Sequence, residues 1–145
     1  MKPAYRIIDL VPHGDAMSLL DSVESHSSSG LVAAVTITKD SLFCEATGVP
    51  AWIGVEYMGQ AIAAWAGIEA RSEKRPVKIG FLVSTRRYES PISYFPIGDK
   101  LLVSVEQITE NITGLRVFAC KINLRDMEIA ANLNVYMPDN VEDFF

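Results

Sequence analysis

Histidine and cysteine are scarce in this 145-residue chain: His13, His26, Cys44 and Cys120 are all there are. The two cysteines lie far apart and match no metal-ligand spacing. A zinc site or a disulfide scaffold is therefore not expected, and cysteine usage favours a reducing cytoplasm. Positive charge is also short, with 13 Lys and Arg against 18 Asp and Glu and a net charge of -5. That balance argues against a nucleic-acid backbone as the main partner, because phosphate binding needs a basic footprint. No basic-then-apolar signal segment follows Met1-Lys2-Pro3. The longest apolar stretch, Ala46 to Ile68, is interrupted by Pro50, Glu56, Gln60 and several glycines, and it lacks aromatic or basic anchors on both sides. A membrane span is not expected from it. Internal repeats, low-complexity segments and linkers are missing too. What remains is a chain of one-domain size, 49% hydrophobic and so able to bury a core, read as a single domain over residues 1–145.

Along the chain, Tyr5 to Leu10 reads as a short extended segment before the turn-rich Val11-Pro12-His13-Gly14-Asp15. Leu19 to Ser25 and the β-branched run Leu31 to Thr38 flank Ser27-Ser28-Ser29-Gly30, the pattern of a hairpin. Lys39 to Val49 is expected to be an irregular loop. From Ala51 to about Glu73 there is no proline, and Ile53, Tyr57, Met58, Ala61, Ile62, Trp65 and Ile68 recur at helical spacing. Pro50 suits the start of that helix and the charged Arg71 to Arg75 followed by Pro76 its end. Four strand-like runs complete the chain: Val77 to Tyr88, Lys100 to Ile108, Gly114 to Leu124 and Met127 to Tyr136, separated by turn material that includes Pro91 to Asp99. An α+β fold follows, one long helix enclosed by an antiparallel β-sheet of five or six strands.

Between Ala46 and Ile68 the one acid or base is Glu56. Surrounded by apolar residues, it is expected to be desolvated, which suits a carboxylate to proton transfer or to gripping a hydroxyl. It could equally pair at a subunit contact or point away from the apolar stripe. Gln60 falls one turn later on the same face, extended by the small residues Ala63, Ala64 and Gly67, which let either an acyl chain or a packed sheet approach closely. The helix start at Pro50-Ala51-Trp52 offers backbone N–H groups and a partial positive charge to an oxyanion. Cys44 reads as a small apolar residue, since no histidine is near it in sequence to activate it. His26, in the serine-rich turn, is expected to face water. Asp21 and Asp40 read as strand-edge or turn acids, and at most one of Arg86 and Arg87 points inward. Arg71, Lys74, Arg75 and Lys78 make either a basic patch for an acidic partner or an ordinary solvated helix end.

The segment GVPAWIGVEYMGQAIAAWAG resembles the helix-start motif of the 3-hydroxyacyl-acyl carrier protein dehydratases of the hot-dog fold, with Pro50, Glu56 and Gln60 at matching spacings and Ala51 where that family has glycine. LVPHGDAMSLLDSV, IGFLVSTRRYESPI and FPIGDKLLVSVE are similar to its flanking segments, so the likeness spans nearly the whole chain. The VPAWxGxEYMxQ wording resembles most closely the divergent branch found in aryl-polyene-type pathways. One departure stands out. The family's loop histidine, fourteen positions before the glutamate, corresponds here to Leu42 in SLFCEATG.

The resemblance implies dehydration of a 3-hydroxyacyl thioester on an acyl carrier protein to the trans-2-enoyl product, without metal or organic cofactor. Glu56 would orient or protonate the hydroxyl, His13 would take the carbon-bound proton, and the Ala51 and Trp52 amides with Gln60 would hold the substrate. A structural role for His13, hydrogen-bonding its own loop, stays open beside this one. The resemblance also implies a homodimer or dimer-based oligomer, with a paralogous hot-dog subunit as a further partner. Two rival readings stay open: a hot-dog thioesterase in which the helix carboxylate activates water, and a non-catalytic acyl-carrier-binding subunit, favoured by the missing loop histidine.

Overall fold

The structure, a computed structural model, describes residues 19–72, 81–86, 88–110 and 115–136. Tyr5 to Leu10, His13, Arg87, Lys74, Arg75 and Lys78 lie outside them. In chain order the elements are β1 (Ser22–His26), β2 (Gly30–Thr36), β3 (Gly48–Pro50), a 3-10 turn (Ala51–Ile53), helix α1 (Gly54–Ser72), β4 (Phe81–Arg86), β5 (Tyr94–Pro96), β6 (Lys100–Glu110), β7 (Leu115–Leu124) and β8 (Met127–Tyr136). Six strands form one antiparallel sheet in the order β1-β2-β6-β7-β8-β4, and α1 lies across β2, β6 and β7.

Period-two alternation decides which face of the sheet meets the helix. On β8 the inward residues Ile129, Ala131, Leu133 and Val135 are buried between exposed or half-buried neighbours, and β6 does the same with Leu101, Val103 and Val105. On β7 the inward track is Phe118, Cys120, Ile122 and Leu124. Against it α1 buries Tyr57, Met58, Ala61, Ile62, Ala64, Trp65 and Ile68. Almost the whole circumference of the helix is covered, as an apolar helix requires. No helix among the described residues is long and apolar enough to cross a membrane.

The long strands match the alternation of the sequence, and β8 runs over the expected Met127 to Tyr136. The differences lie at ends and short pieces. β1 starts at Ser22 instead of Leu19, because the Leu19 N–H is taken by the Gln60 side chain (2.7 Å). β2 stops at Thr36, after which Ile37 exchanges backbone hydrogen bonds with the Gly98–Asp99 turn. The end of the Lys39 to Val49 loop runs into the three-residue strand β3, the Pro91 to Asp99 separator contains the three-residue strand β5, and these two pair antiparallel as a second small sheet. Segments this short, each with a proline at its end, carry no periodicity to read. The helix begins with one 3-10 turn, so its α-helical part starts at Gly54 and ends at Ser72.

Candidate active site

The small sheet sets the direction in which the chain enters the helix. Gly48 has φ +148°, and a Cβ there would run into the Phe95 carbonyl, so only glycine lets β3 come this close to β5. The register then places Pro50 opposite Tyr94, and Pro50, extended at φ -52° and ψ 135°, turns the chain into the 3-10 segment. Both sides of Ala51 are held. Its N–H donates to the Ser93 carbonyl (2.9 Å), and its carbonyl accepts from the Gly54 N–H and from the Tyr88 hydroxyl. This corrects the expectation that the Ala51 amide is available to a substrate. Among the described residues the Trp52 N–H makes no loop or cap hydrogen bond, and Pro50 provides no side-chain cap. Helix-start amides lack intrahelical acceptors, so that of Trp52 is the remaining donor.

Glu56 stands in the first turn of α1, and its side chain is exposed on the protomer. The expected desolvation is thus not supplied by this chain: the apolar residues around Glu56 in sequence point into the core, while residue 56 falls on the outward side of the helix. Gln60 is the opposite case. It is 4% exposed, and its Oε1 accepts from the Leu19 N–H, so it tethers the chain leading into β1. A buried amide oxygen engaged in this way acts as a structural anchor. His13 lies outside the described residues.

The Trp52 side chain is 66% exposed and meets Phe43 with ring centroids 6.4 Å apart. Phe43 has φ +67°, an uncommon conformation for an aromatic residue, in the turn that also exposes Leu42. With Tyr94, whose hydroxyl donates to Glu45 (3.0 Å), these residues surround the helix start with apolar surface. Cys44 is half-buried at its edge, its thiol donating to the Glu45 carbonyl (3.3 Å). Beneath lies Tyr57, where burial first, and then the charges of Asp21, Cys44 and Tyr88, push the hydroxyl well above the ordinary tyrosine value. Tyr88 is half-buried, and burial pushes its hydroxyl up to about 12.

Tyr88 is the residue that sequence reasoning missed, having assigned it to the strand ending at position 88; β4 stops at Arg86. The signal the sequence does carry is Gly54, a glycine in the first turn of an otherwise alanine-rich helix. A Cβ at Gly54 would collide with the Tyr88 hydroxyl and approach the Ile122 Cδ1 to 2.9 Å. His26 also departs from expectation. It ends β1 instead of sitting in the turn, and its Nε2 lies 3.1 Å from the Glu69 carboxylate near the other end of α1, both side chains largely covered. A groove of about 420 Å³ beside it is lined by Ser25, His26, Ser29, Ser104 and Lys121, among others, and by none of the helix-start residues. Asp21 accepts from the Thr36 N–H (2.7 Å) as a strand-edge acid. No cluster of three or more metal-ligating side chains occurs among the described residues.

A sequence model of the ApeP-like family, described as ApeP dehydratase, matches residues 5–145. The chain belongs to the ApeP-like dehydratase family. No curated protein matches it. Among solved structures, this ApeP-like chain is similar to the dehydratase heterocomplex ApeI:P from Xenorhabdus doucetiae, with TM-score 0.87 and 22% identity over 98% of this chain and 97% of that one. The PaaI protein of the E. coli phenylacetic acid degradation operon gives TM-score 0.58 and 11% identity, covering 79% of each chain. The smu.793 protein of Streptococcus mutans, solved with acetyl-CoA, gives 0.55 and 13%, covering 80% of this chain and 86% of that one. At these identities the likeness establishes the hot-dog fold, an antiparallel sheet around one long helix.

Proposed function

We propose that this ApeP-like chain dehydrates 3-hydroxyacyl thioesters carried on an acyl carrier protein, working as one of two paired hot-dog subunits. The observation that carries the reading is Glu56 in the first turn of a helix whose Trp52 amide makes no loop or cap hydrogen bond among the described residues, within a family of dehydratases. Removing the proton next to a thioester carbonyl puts negative charge on its oxygen, and the Trp52 N–H, assisted by the helix dipole, answers that charge. The electron pair returning from the enolate expels the 3-hydroxyl. Glu56 gives that hydroxyl its proton, and water leaves.

The base in this scheme is His13. It follows Pro12 in the segment that resembles the Pro-His element of the family. Imidazole is suited to take a carbon-bound proton near neutral pH, and that proton goes back to Glu56 before the next turnover.

Pairing is supported by what the protomer leaves uncovered. A carboxylate that protonates a departing hydroxyl needs a desolvated setting. Glu56 lacks one on the lone chain, and Leu42, Phe43 and Trp52 form an exposed apolar rim beside it. A second subunit over this rim supplies both. Leu42, where the resembled dehydratases carry a histidine, favours a second reading in which the paired subunit performs the proton transfers and this chain only binds the acyl carrier.

Turnover of a 3-hydroxyacyl carrier protein, following enoyl absorbance and free carrier thiol together, separates these readings. The proposal expects enoyl formation without thiol release, from the chain alone or with a hot-dog partner, lowered by about 10²–10⁴-fold in His13→Ala. Full activity of the pair carrying His13→Ala and Glu56→Gln in this chain favours the binding-only reading, and release of thiol a thioesterase.

A further inference from the structure

Tyr88 has no part in the proton transfers above, yet its hydroxyl ends on the peptide from which the oxyanion donor comes. We propose that Tyr88 is a positioning residue for that donor: by holding the carbonyl half of the Ala51–Trp52 peptide, it aims and strengthens the amide half, the Trp52 N–H. This inference rests on the dehydratase reading, in which the Trp52 amide meets the thioester oxygen.

The argument starts from the peptide unit. The carbonyl of Ala51 and the N–H of Trp52 belong to one rigid plane and point in opposite directions. A donor bound to the oxygen fixes the tilt of the plane and therefore the direction of the N–H. It also draws electron density toward the oxygen and makes the N–H a better donor, as in any chain of hydrogen bonds. Tyr88 is such a donor, and the Gly54 N–H is a second one on the same oxygen. The Tyr88 hydroxyl, pushed up to about 12 by burial, keeps its proton throughout the neutral range.

Two further features show that the contact is built into the fold. Gly54 leaves the space that the Tyr88 hydroxyl occupies, and a Cβ there would displace it. The segment following Tyr88 is itself braced: Ser90 donates to the Ile92 carbonyl (2.7 Å) and accepts from the Ile92 N–H (3.2 Å), and the Ser93 carbonyl takes the Ala51 N–H. One segment thus grips residue 51 from both sides, and the next amide, that of Trp52, makes no loop or cap hydrogen bond among the described residues.

Tyr88→Phe keeps the ring and removes the hydroxyl. In the protein assembled with whatever subunit its turnover requires, kcat should fall about tenfold with KM unchanged, less than the 10²–10³-fold loss on deleting an oxyanion donor outright. The Trp52 amide proton resonance of the same variant should move upfield, which loss of packing elsewhere would not produce. Gly54→Ala should give a similar loss, and the double variant should add little to it. Dehydration by the wild type with undiminished kcat in Tyr88→Phe overturns this inference alone, as does a fall in kcat with the Trp52 resonance unmoved. Failure of the wild type to dehydrate in any pairing overturns the dehydratase reading and this inference with it.

Discussion

At its far end helix α1 spends its polar groups inside the chain. The Trp65 Nε1–H donates to the Ser27 carbonyl (3.2 Å), the Trp65 ring meets Phe118 edge-on at 5.5 Å, Arg116 lies over it at 6.0 Å, and Glu69 faces His26. At its start the same helix presents an exposed carboxylate, an exposed tryptophan and an amide without a loop or cap partner among the described residues, although the backbone beneath is held tightly by Ser93 and Tyr88. One end is finished within the protomer, while the other is rigid but incomplete. A rigid frame presenting unsatisfied groups is what a binding site needs, because the groups cost little to orient when a ligand or subunit arrives. The far end, with its partners already inside the fold, has the character of a structural joint.

Glu56→Gln should break that comparison most sharply. It removes the proton donor and leaves the shape intact. Turnover of the 3-hydroxyacyl carrier protein should drop by about 10²–10⁴-fold, while stability stays within about 0.5 kcal/mol, the usual range for an exposed position. A thermal melt beside the kinetic assay checks both. A large loss of stability in the isolated chain would show that the start of the helix is structural after all.

The converse experiment is Trp65→Ala at the far end. It deletes a buried ring, its contact with Phe118 and its hydrogen bond to Ser27, and it should cost about 3–5 kcal/mol in urea denaturation. Turnover per folded molecule should be nearly unchanged. A loss of kcat in the surviving folded fraction would mean that the two ends are coupled.

The contrast between the ends was only half legible in the sequence. The long strands and the core face of the helix could be read because alternation and the 3.6-residue period are imposed by burial on one side, and β6, β7 and β8 carry that burial along most of their length. The 3-10 turn, the β3–β5 pair and the commitment of the Ala51 amide to Ser93 could not be read. Each depends on where residues about forty positions apart in the chain come together. Glu56 shows the same gap in another way. Its apolar neighbours in sequence suggested burial, but in a helix those neighbours turn inward and leave residue 56 outside. The spacing of Pro50, Glu56 and Gln60 marked the right helix, whereas the division of labour between an exposed acid and a buried tether became visible only with Leu19 against Gln60.

Cys120 joins the two ends and tests how far they act as one frame. On the inward face of β7 it lies between Phe118, which meets Trp65, and Ile122, which lies against Gly54. Burial pushes its thiol from the ordinary 9.0 up to about 12, the Leu133 backbone hydrogen bond offsetting part of that rise. Because the folded state holds this proton more tightly than the unfolded chain, the group's contribution to stability is complete below about pH 9. It is lost as the pH climbs through about 12, where the buried thiol ionises. The thermal midpoint of the wild type should thus be level through neutral pH and decline across that alkaline window. Cys120→Ala should lower the midpoint modestly at neutral pH and decline less steeply, its residual slope belonging to Tyr88 and Tyr57, whose hydroxyls are also held protonated by burial. Equal slopes for the two proteins would show that the thiol does not resist ionisation in place, and that this stretch of β7 yields to water before the ends of the helix do.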